Sequence, residues 1–282
     1  MIPPLARRFV AGETTAEALE HARTRNEDGI GVILNRLGEH YETRGPADAA
    51  ATTYQGLVEE IAAADLRACI SVKPSQLGLS VSDAVFEQNL DRVVSHAAPR
   101  DVFVWIDMED HTTTDATLSA FERLARETDG GVGVCLQANL RRTPDDLERL
   151  ADRPGKVRLV KGAYDPPPSV ALDGKDAVNQ AYREQLRYMF EHFDDGIAVG
   201  SHDPAMIDLA ATLHDEYGTD YEVQMLMGVR TDAQRALTDD CPVWQYAPYG
   251  GEWLAYFYRR VAERKENALF ALRALLSYIV DS

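Results

Sequence analysis

Ionisable and amide side chains stand directly after several short apolar runs of this sequence. Lys73 follows CISV, Asp107 follows VFVWI, Gln137 follows VGVCL and Lys161 follows VRLV. Polar groups on apolar strands cost free energy unless they are paired or used in function. If the ends of these runs meet, they form a site whose cations bind a small carboxylate.

Lysine is rare in this chain, which makes its positions informative. Five of the 29 basic residues are lysines, and two of the five, Lys73 and Lys161, follow apolar runs. Lysine supplies a compact point charge, so we expect a functional cation at both positions, although a lysine at a strand end can also simply extend into solvent. For Arg158, inside a run, two interpretations stay open: an ion pair with Asp107, or contact with an anionic or electron-accepting ligand.

The last helix-like segment places several polar residues on one face. On an outer surface they would form a solvated stripe, whereas over a barrel mouth its adjacent arginines could hold a carboxylate. The preceding Gly250–Gly251 pair would permit such a displacement. The residues, spaced i, i+3, i+4 and i+7, are Tyr256, Arg259, Arg260 and Glu263.

Apolar, β-branched runs alternate with segments of helical periodicity along the chain. Such runs are typical of parallel strands covered on both faces, and eight of them with one starting helix favour a (β/α)8 barrel. We therefore predict an α/β protein, a single TIM-barrel domain over residues 1–282 with its last helix displaced over the barrel mouth. A doubly wound sheet is the alternative, but no G-x-G-x-x-G motif follows the first run. The runs are 29–34, 69–73, 102–108, 132–138, 157–162, 196–201, 221–226 and 243–248.

Four helix starts carry N-terminal signals. Capping boxes are predicted at Thr14–Glu17 and Thr231–Gln234. An N-cap followed by proline is predicted at Thr143–Pro144 and Asp203–Pro204.

The charge of the chain excludes one class of partner. Its 46 acidic and 29 basic residues give a formal net charge of −17, which repels nucleic acid. An acidic surface poor in lysine favours a halophilic protein, in which salt screens the repulsion. An acidic protein from a high-GC genome is the alternative.

Other classes of site are also disfavoured. No apolar run approaches the roughly 18 residues of a membrane span, and the N-terminal segment lacks the apolar centre of a signal peptide, so we expect a cytoplasmic protein. The histidines show no H-E-x-x-H spacing, and no metal site is expected. Cys69, Cys135 and Cys241 are predicted to be buried apolar residues.

An ordered set of motifs covering nearly the whole chain resembles the proline dehydrogenase family, including the corresponding domain of bifunctional proline-utilisation proteins. The DNA-binding and aldehyde-dehydrogenase extensions of those proteins have no counterpart here, so a monofunctional enzyme is expected. The family more often has threonine where Ser201 stands. The matching segments are NRLGEHY, SVKPSQLGL, VWIDMED, VCLQANLRRTPDDL, VRLVKGAY, SHDPAMI, EVQMLMGVR and YAPYGGEWLAYFYRRVAERKEN.

The resemblance implies a non-covalent FAD across the strand ends, with L-proline between the flavin and the last helix. It makes Asp107 and Arg158 catalytic and Glu39 a gate acid that pairs with Arg259. The implied substrate-binding residues are Lys73, Tyr164, Leu226, Tyr246, Tyr256, Arg259 and Arg260. The implied flavin-binding residues are Met108, Gln137, Arg158, Val160, Lys161, Gly162, Ala163, Ser201, His202 and Glu263.

The function implied by the resemblance is oxidation of L-proline to Δ1-pyrroline-5-carboxylate, with hydride transfer to FAD. Electrons would pass to a membrane quinone, which implies peripheral contact with the inner face of the cell membrane. An alternative from the residues alone is a Schiff-base lyase or aldolase on the same barrel, with Lys161 or Lys73 as nucleophile. A non-catalytic carboxylate-binding protein is a third hypothesis, weakened by the density of ionisable groups.

Overall fold

The computed structural model describes residues 2–3, 6–164, 166–254 and 256–257. Within these ranges eight parallel strands form a closed barrel in chain order, and β1 pairs with β8 to close it. The predicted runs overlap every strand, so the predicted (β/α)8 TIM barrel is confirmed. The strands are β1 (Gly31–Arg36), β2 (Ala68–Val72), β3 (Val104–Ile106), β4 (Val132–Gln137), β5 (Lys156–Val160), β6 (Ile197–Gly200), β7 (Tyr221–Leu226) and β8 (Val243–Tyr249).

One helix precedes the barrel and one follows each of the first seven strands. No described helix is long and apolar enough to cross a membrane. Short 3-10 helices lie at Ala6–Arg8, Ala98–Arg100, His111–Thr113 and Leu237–Asp239. The α-helices are α1 (Thr15–Glu27), α2 (Arg44–Ala63), α3 (Asp83–Ala97), α4 (Thr114–Glu127), α5 (Thr143–Leu150), α6 (Lys175–His192), α7 (Pro204–Tyr217) and α8 (Thr231–Ala236).

Two of the four predicted helix starts are confirmed. Thr14 and Glu17 form a reciprocal capping box at α1, and the Asp203 side chain caps α7 by accepting from the Ala205 N–H. The other two are wrong by one residue, because Thr143 and Thr231 are the first residues of α5 and α8 and neither is an N-cap.

The side chains behind the two wrong predictions bind strand ends and not helix ends. The Thr143 hydroxyl donates to the Gln137 carbonyl over 2.6 Å. The Gln234 amide donates to the carbonyls of Leu226 and Val229, at 3.0 and 2.8 Å. Because buried carbonyls need partners, these side chains satisfy β4 and β7 in preference to a helix terminus.

The hydrophobic core has two main parts, and a further cluster joins residues of the N-terminal segment, such as Phe9, to Leu37, Trp253 and Phe257. The larger lies between the outer face of the barrel and the helices, and the smaller fills the barrel interior around Ile33, Cys69, Trp105 and Ala198. Strand residues on both faces are therefore buried, which explains the continuous apolar runs. All three cysteines are buried, as predicted.

The segment before α1 crosses the carboxyl end of the barrel. The Ala11 N–H donates to the Pro248 carbonyl and the Gly250 N–H donates to the Gly12 carbonyl, each over 2.8 Å. The ring of Phe9 packs against that of Phe257 with centroids 6.1 Å apart. Most of the predicted displaced helix falls in residues 258–282, outside the described residues, and that part stays a prediction.

Candidate active site

Asp107, directly after β3, binds three other side chains inside the carboxyl end of the barrel. Its Oδ1 accepts from the Ser71 hydroxyl over 2.7 Å and from the Arg158 guanidinium, and its Oδ2 accepts from the Tyr246 hydroxyl over 2.7 Å. Asp107 and Arg158 are only 9% and 5% exposed. The ion pair, one of the two interpretations of Arg158, is therefore present.

Arg158 on β5 is held on several sides. Its Cζ lies 4.9 Å from the ring centre of Trp105 and 5.6 Å from that of Tyr246. Its Nη1 donates to the Gln224 Oε1 over 3.1 Å. Because the guanidinium is planar and its partners lie in different directions, its orientation is fixed.

The Tyr246 hydroxyl on β8 is a hydrogen-bond donor to Asp107. Burial, followed by the negative charge of Asp107, raises the pKa of Tyr246 well above its ordinary value. The phenol therefore stays protonated at neutral pH, and the contact fixes its ring beside Arg158.

Lys73 and Glu39 form an ion pair across the ends of β2 and β1. The Lys73 Nζ lies 3.0 Å from the Glu39 Oε2, and the side chains are 13% and 24% exposed. Arg259, the partner that the resemblance gives to Glu39, lies outside the described residues. The Glu39 carboxylate therefore binds the Lys73 ammonium, the group that binds the substrate carboxylate according to the resemblance.

Glu109, two residues beyond Asp107, was not singled out from the sequence. Its carboxylate accepts from the Ser75 N–H and hydroxyl at 2.7 and 2.8 Å, and its carbonyl accepts from the Gln137 amide at 2.9 Å. Burial raises the pKa of Glu109, against the opposing effects of Ser75 and the charge of Lys73. Glu109 therefore joins the segment after β2 to the end of β4; the second acid of the motif WIDMED is the only signal for it.

Lys161, directly after β5, connects that strand to two helices. Its ammonium donates to the Asn179 Oδ1 over 2.6 Å and to the Asp203 Oδ2 over 2.7 Å. The hydrogen bond from Lys161 is the main cause that lowers the pKa of Asp203 below its ordinary value. The cation is thus anchored to α6 and to the start of α7.

Gly162 allows the chain after β5 to pass close to Asn139. Its φ of +116° lies in the region that favours glycine, and a Cβ built there would lie 2.3 Å from the Asn139 Oδ1. Among the described residues the buried Asn139 Oδ1 has no hydrogen-bond partner. Such an atom is a candidate acceptor for a ligand, and no sequence signal marked it.

The ends of β6 and β7 are connected by His202. Its Nε2 accepts from the Leu226 N–H over 3.3 Å, and its carbonyl accepts from Arg230 over 2.7 Å. The neighbouring Ser201 hydroxyl accepts from the Asp203 N–H over 3.2 Å. These contacts set the spacing of the two strand ends.

The remaining predicted site residues also lie at or after carboxyl ends of strands where they are described. Met108 is buried, Val160, Tyr164 and Tyr256 are half-buried, and Ala163 is exposed. The exceptions, Arg259, Arg260 and Glu263, lie outside the described residues. Residues that sequence reasoning missed here are Ser71, Ser75, Glu109, Asn139 and Gln224.

Comparison with known proteins shows that this sequence is similar to proline dehydrogenases. A family model described as "Proline dehydrogenase" matches residues 18–273. The chain is 36% identical to a proline dehydrogenase of Deinococcus radiodurans and 32% identical to proline dehydrogenase 1 of Bacillus subtilis strain 168, in each case over 96% of this chain and 90% of the relative.

The fold also resembles a solved structure. Proline utilization A from Bdellovibrio bacteriovorus, inactivated by N-propargylglycine, superposes with a TM-score of 0.83 at 23% identity. The superposition covers 91% of this chain and 32% of that longer chain. It supports the barrel fold.

Proposed function

This chain belongs to the proline dehydrogenase family, and on that premise we propose that it oxidises L-proline to Δ1-pyrroline-5-carboxylate with FAD as the hydride acceptor. In this reaction the C5–H bond breaks with its electron pair, the nitrogen loses a proton, and a C5=N bond forms. The observation that supports the proposal most directly is the presence of Lys73 and Arg158 at the end of the barrel where TIM-barrel enzymes bind substrates.

The substrate carboxylate is proposed to bind Lys73. Its ammonium already pairs with Glu39 over 3.0 Å, so substrate binding exchanges one carboxylate for another and never leaves the cation unpaired. Arg259 and Arg260 have the same proposed role by resemblance and lie outside the described residues. A carboxylate fixed in this way orients C5 for hydride removal.

The substrate ring is proposed to pack against apolar and aromatic side chains. Tyr246, fixed by its hydrogen bond to Asp107, is one wall, and Leu226, at the end of the adjacent strand, is another. Tyr164 and Tyr256 complete the proposed enclosure. These side chains would exclude water from the reacting carbon.

Asp107 is proposed to be a positioning residue. Its two oxygens bind Ser71, Arg158 and Tyr246, and all of these contacts are within the protein. It therefore acts by holding Arg158 and Tyr246 in place, although the resemblance alone describes it as catalytic.

Several residues fit the FAD that the resemblance implies. Lys161 is a fixed cation, Gly162 lets the chain pass close to Asn139, and the Asn139 Oδ1 would accept a hydrogen bond. When bound, FAD accepts the hydride on its isoalloxazine ring, which then carries negative charge. Arg158 is proposed to stabilise that charge. The other proposed FAD-binding residues are Met108, Gln137, Val160, Ala163, Ser201, His202 and Glu263.

A membrane quinone is the proposed electron acceptor. Its use requires contact with the inner face of the cell membrane by a cytoplasmic enzyme. The family resemblance supports this part of the proposal.

A Schiff-base lyase is the competing function. Lys73 binds the carboxylate of Glu39 and Lys161 binds that of Asp203, at 3.0 and 2.7 Å. Either nitrogen would have to leave its carboxylate and lose a proton before it attacked a carbonyl. This arrangement favours cation roles for both lysines.

The absorption spectrum of the purified protein tests the proposal. We expect a yellow protein with the visible bands of FAD, which bleach when L-proline is added without oxygen. A colourless protein that neither takes up FAD nor oxidises proline would contradict the proposal. Inactivation by borohydride only in the presence of substrate would instead support the lyase.

A further inference from the structure

A continuous chain of hydrogen-bonded side chains runs through the barrel interior, beginning far from the proposed substrate. Lys156, at the start of β5, lies 2.5 Å from the Glu222 Oε2. The Glu222 Oε1 accepts from the Gln224 amide over 2.6 Å, and the Gln224 Oε1 accepts from Arg158 over 3.1 Å. Arg158 then binds Asp107 at the carboxyl end.

The far end of this chain opens to solvent at the amino-terminal mouth of the barrel. Lys156 and Glu222 line a bowl of about 500 Å³ there, together with Asp129, Asp195 and Asp220. The Lys156 side chain is 37% exposed, whereas that of Glu222 is 8% exposed. The chain therefore connects a solvent-exposed cation to the buried centre of the proposed active site.

The charges along the chain alternate in sign. Lys156 is positive, Glu222 negative, Arg158 positive and Asp107 negative, with the neutral Gln224 between the two ion pairs. The Gln224 amide donates to Glu222 through its nitrogen and accepts from Arg158 through its oxygen, so only one orientation of the amide satisfies both partners. Buried charges that are paired in this manner avoid the penalty of an isolated ion.

Arg158 prevents proton transfer along this chain of side chains. A guanidinium does not release a proton in a protein, so a proton cannot pass from Tyr246 and Asp107 through Arg158 to Glu222. Orientation and electrostatic potential remain, and both act strongly in a low-dielectric interior.

We propose that Gln224 and Glu222 are positioning residues for Arg158, and that Lys156 tunes the potential at the active-site end from the opposite mouth of the barrel. The inference rests on the proposed function, in which Arg158 stabilises negative charge on reduced FAD. Gln224 holds the guanidinium on the side of the amino-terminal mouth, and Asp107 holds it on the side of the carboxyl end. Glu222 fixes Gln224, and Lys156 neutralises Glu222.

The direction in which the reduction potential of bound FAD changes in two variants tests the role of Lys156. Lys156→Met leaves Glu222 uncompensated, so the potential is expected to become more negative and reduction by proline to slow, by up to about tenfold. Glu222→Gln leaves Lys156 uncompensated, so the potential is expected to become more positive. Loosening of the barrel would move both variants in the same direction.

Gln224→Met tests positioning. It removes an acceptor from Arg158, so kcat is expected to fall about tenfold while the KM for proline changes less than about twofold. Gln245→Met is the matched control, because Gln245 is equally buried on β8 but binds His21 and Gln234 on the outer side of the barrel. The control is expected to lower stability without moving the reduction potential.

The outcomes separate the inference from the proposed function. The inference is wrong if the reduction potential is unchanged in Lys156→Met and Glu222→Gln, or if it shifts in the same direction in both. Either result leaves the proposed function intact. If Glu222→Gln does not fold, Lys156→Met and Gln245→Met decide. A more negative reduction potential in Lys156→Met, with the potential of Gln245→Met unchanged, supports the inference. An unchanged potential in Lys156→Met overturns it. A wild-type protein that proline does not reduce overturns both.

Discussion

Glu39 and Lys73 pair over 3.0 Å across the ends of β1 and β2, where the substrate carboxylate is proposed to bind. The substrate must therefore compete with a carboxylate of the protein itself. Because the pair is only partly exposed, the exchange takes place in surroundings where an unpaired charge is costly.

Lys73→Met is expected to weaken proline binding. Removing one partner of a largely desolvated charge pair costs about 2–5 kcal/mol, so the KM for proline should rise about 30-fold or more. Flavin content, measured as the ratio of visible to ultraviolet absorbance, should not change. Lys175→Met, at an exposed lysine that begins α6, is the control. Glu39→Ala should have the smaller effect, and an unchanged KM for Lys73→Met would remove Lys73 from the site.

Asp107→Asn is expected to destabilise the fold. It leaves the guanidinium of Arg158 without its carboxylate in the barrel interior, which should lower the free energy of unfolding in urea by about 3–5 kcal/mol. Asp91→Asn, which breaks the partly exposed pair with Arg123, should cost about 1 kcal/mol or less. Equal losses in the two variants would contradict the buried pair.

Glu109 is expected to make stability depend on pH. Its pKa is raised in the folded state above the ordinary value of 4.5, so its contribution to stability is present below that value and is lost as pH rises through the folded pKa. Glu109→Gln does not titrate. The unfolding free energy of the wild type minus that of Glu109→Gln should therefore fall as the pH rises above the ordinary value of 4.5. A difference that rises with pH would show that the folded pKa is lowered.

Salt is expected to stabilise the protein. With a net charge of −17, repulsion between surface carboxylates is incompletely screened at 0.1 M salt, where the Debye length is about 10 Å. The unfolding temperature should rise between about 0.1 M and about 3 M potassium chloride. Equal unfolding temperatures would refute the halophilic interpretation.

The barrel could be predicted because each strand is buried on both faces. Runs such as VGVCLQ and IAVG leave no polar alternation that would favour another arrangement, and the eight-fold recurrence fixes the strand count. The helix starts depend on contacts that the sequence pattern does not contain. Thr231 and Gln234 match a capping box, but Gln234 instead satisfies the buried carbonyls of Leu226 and Val229, a demand visible only in three dimensions.

The candidate site was predictable in its residue types but not in its pairings. Arg158 lies between Asp107 and Gln224 because β5 places it inside a closed barrel, and sequence spacing does not reveal partners on other strands. Asn139 and Glu109 lie in segments beyond strand ends, where apolar periodicity carries no information. Glu222 and Gln224 match an alternating strand pattern, which gives no reason to expect contact with Arg158.

Closure of the barrel by β1 and β8 has a consequence for synthesis on the ribosome. The register runs from Gly31 with Trp244 to Arg36 with Tyr249, so one edge of β1 has no partner until β8 has been translated. During that interval β1 and the most recently formed strand both expose unpaired backbone groups, which can pair with other nascent chains. Slow translation of the last strands, or loss of chaperone capacity, would therefore reduce the yield of this protein through aggregation before any active site exists.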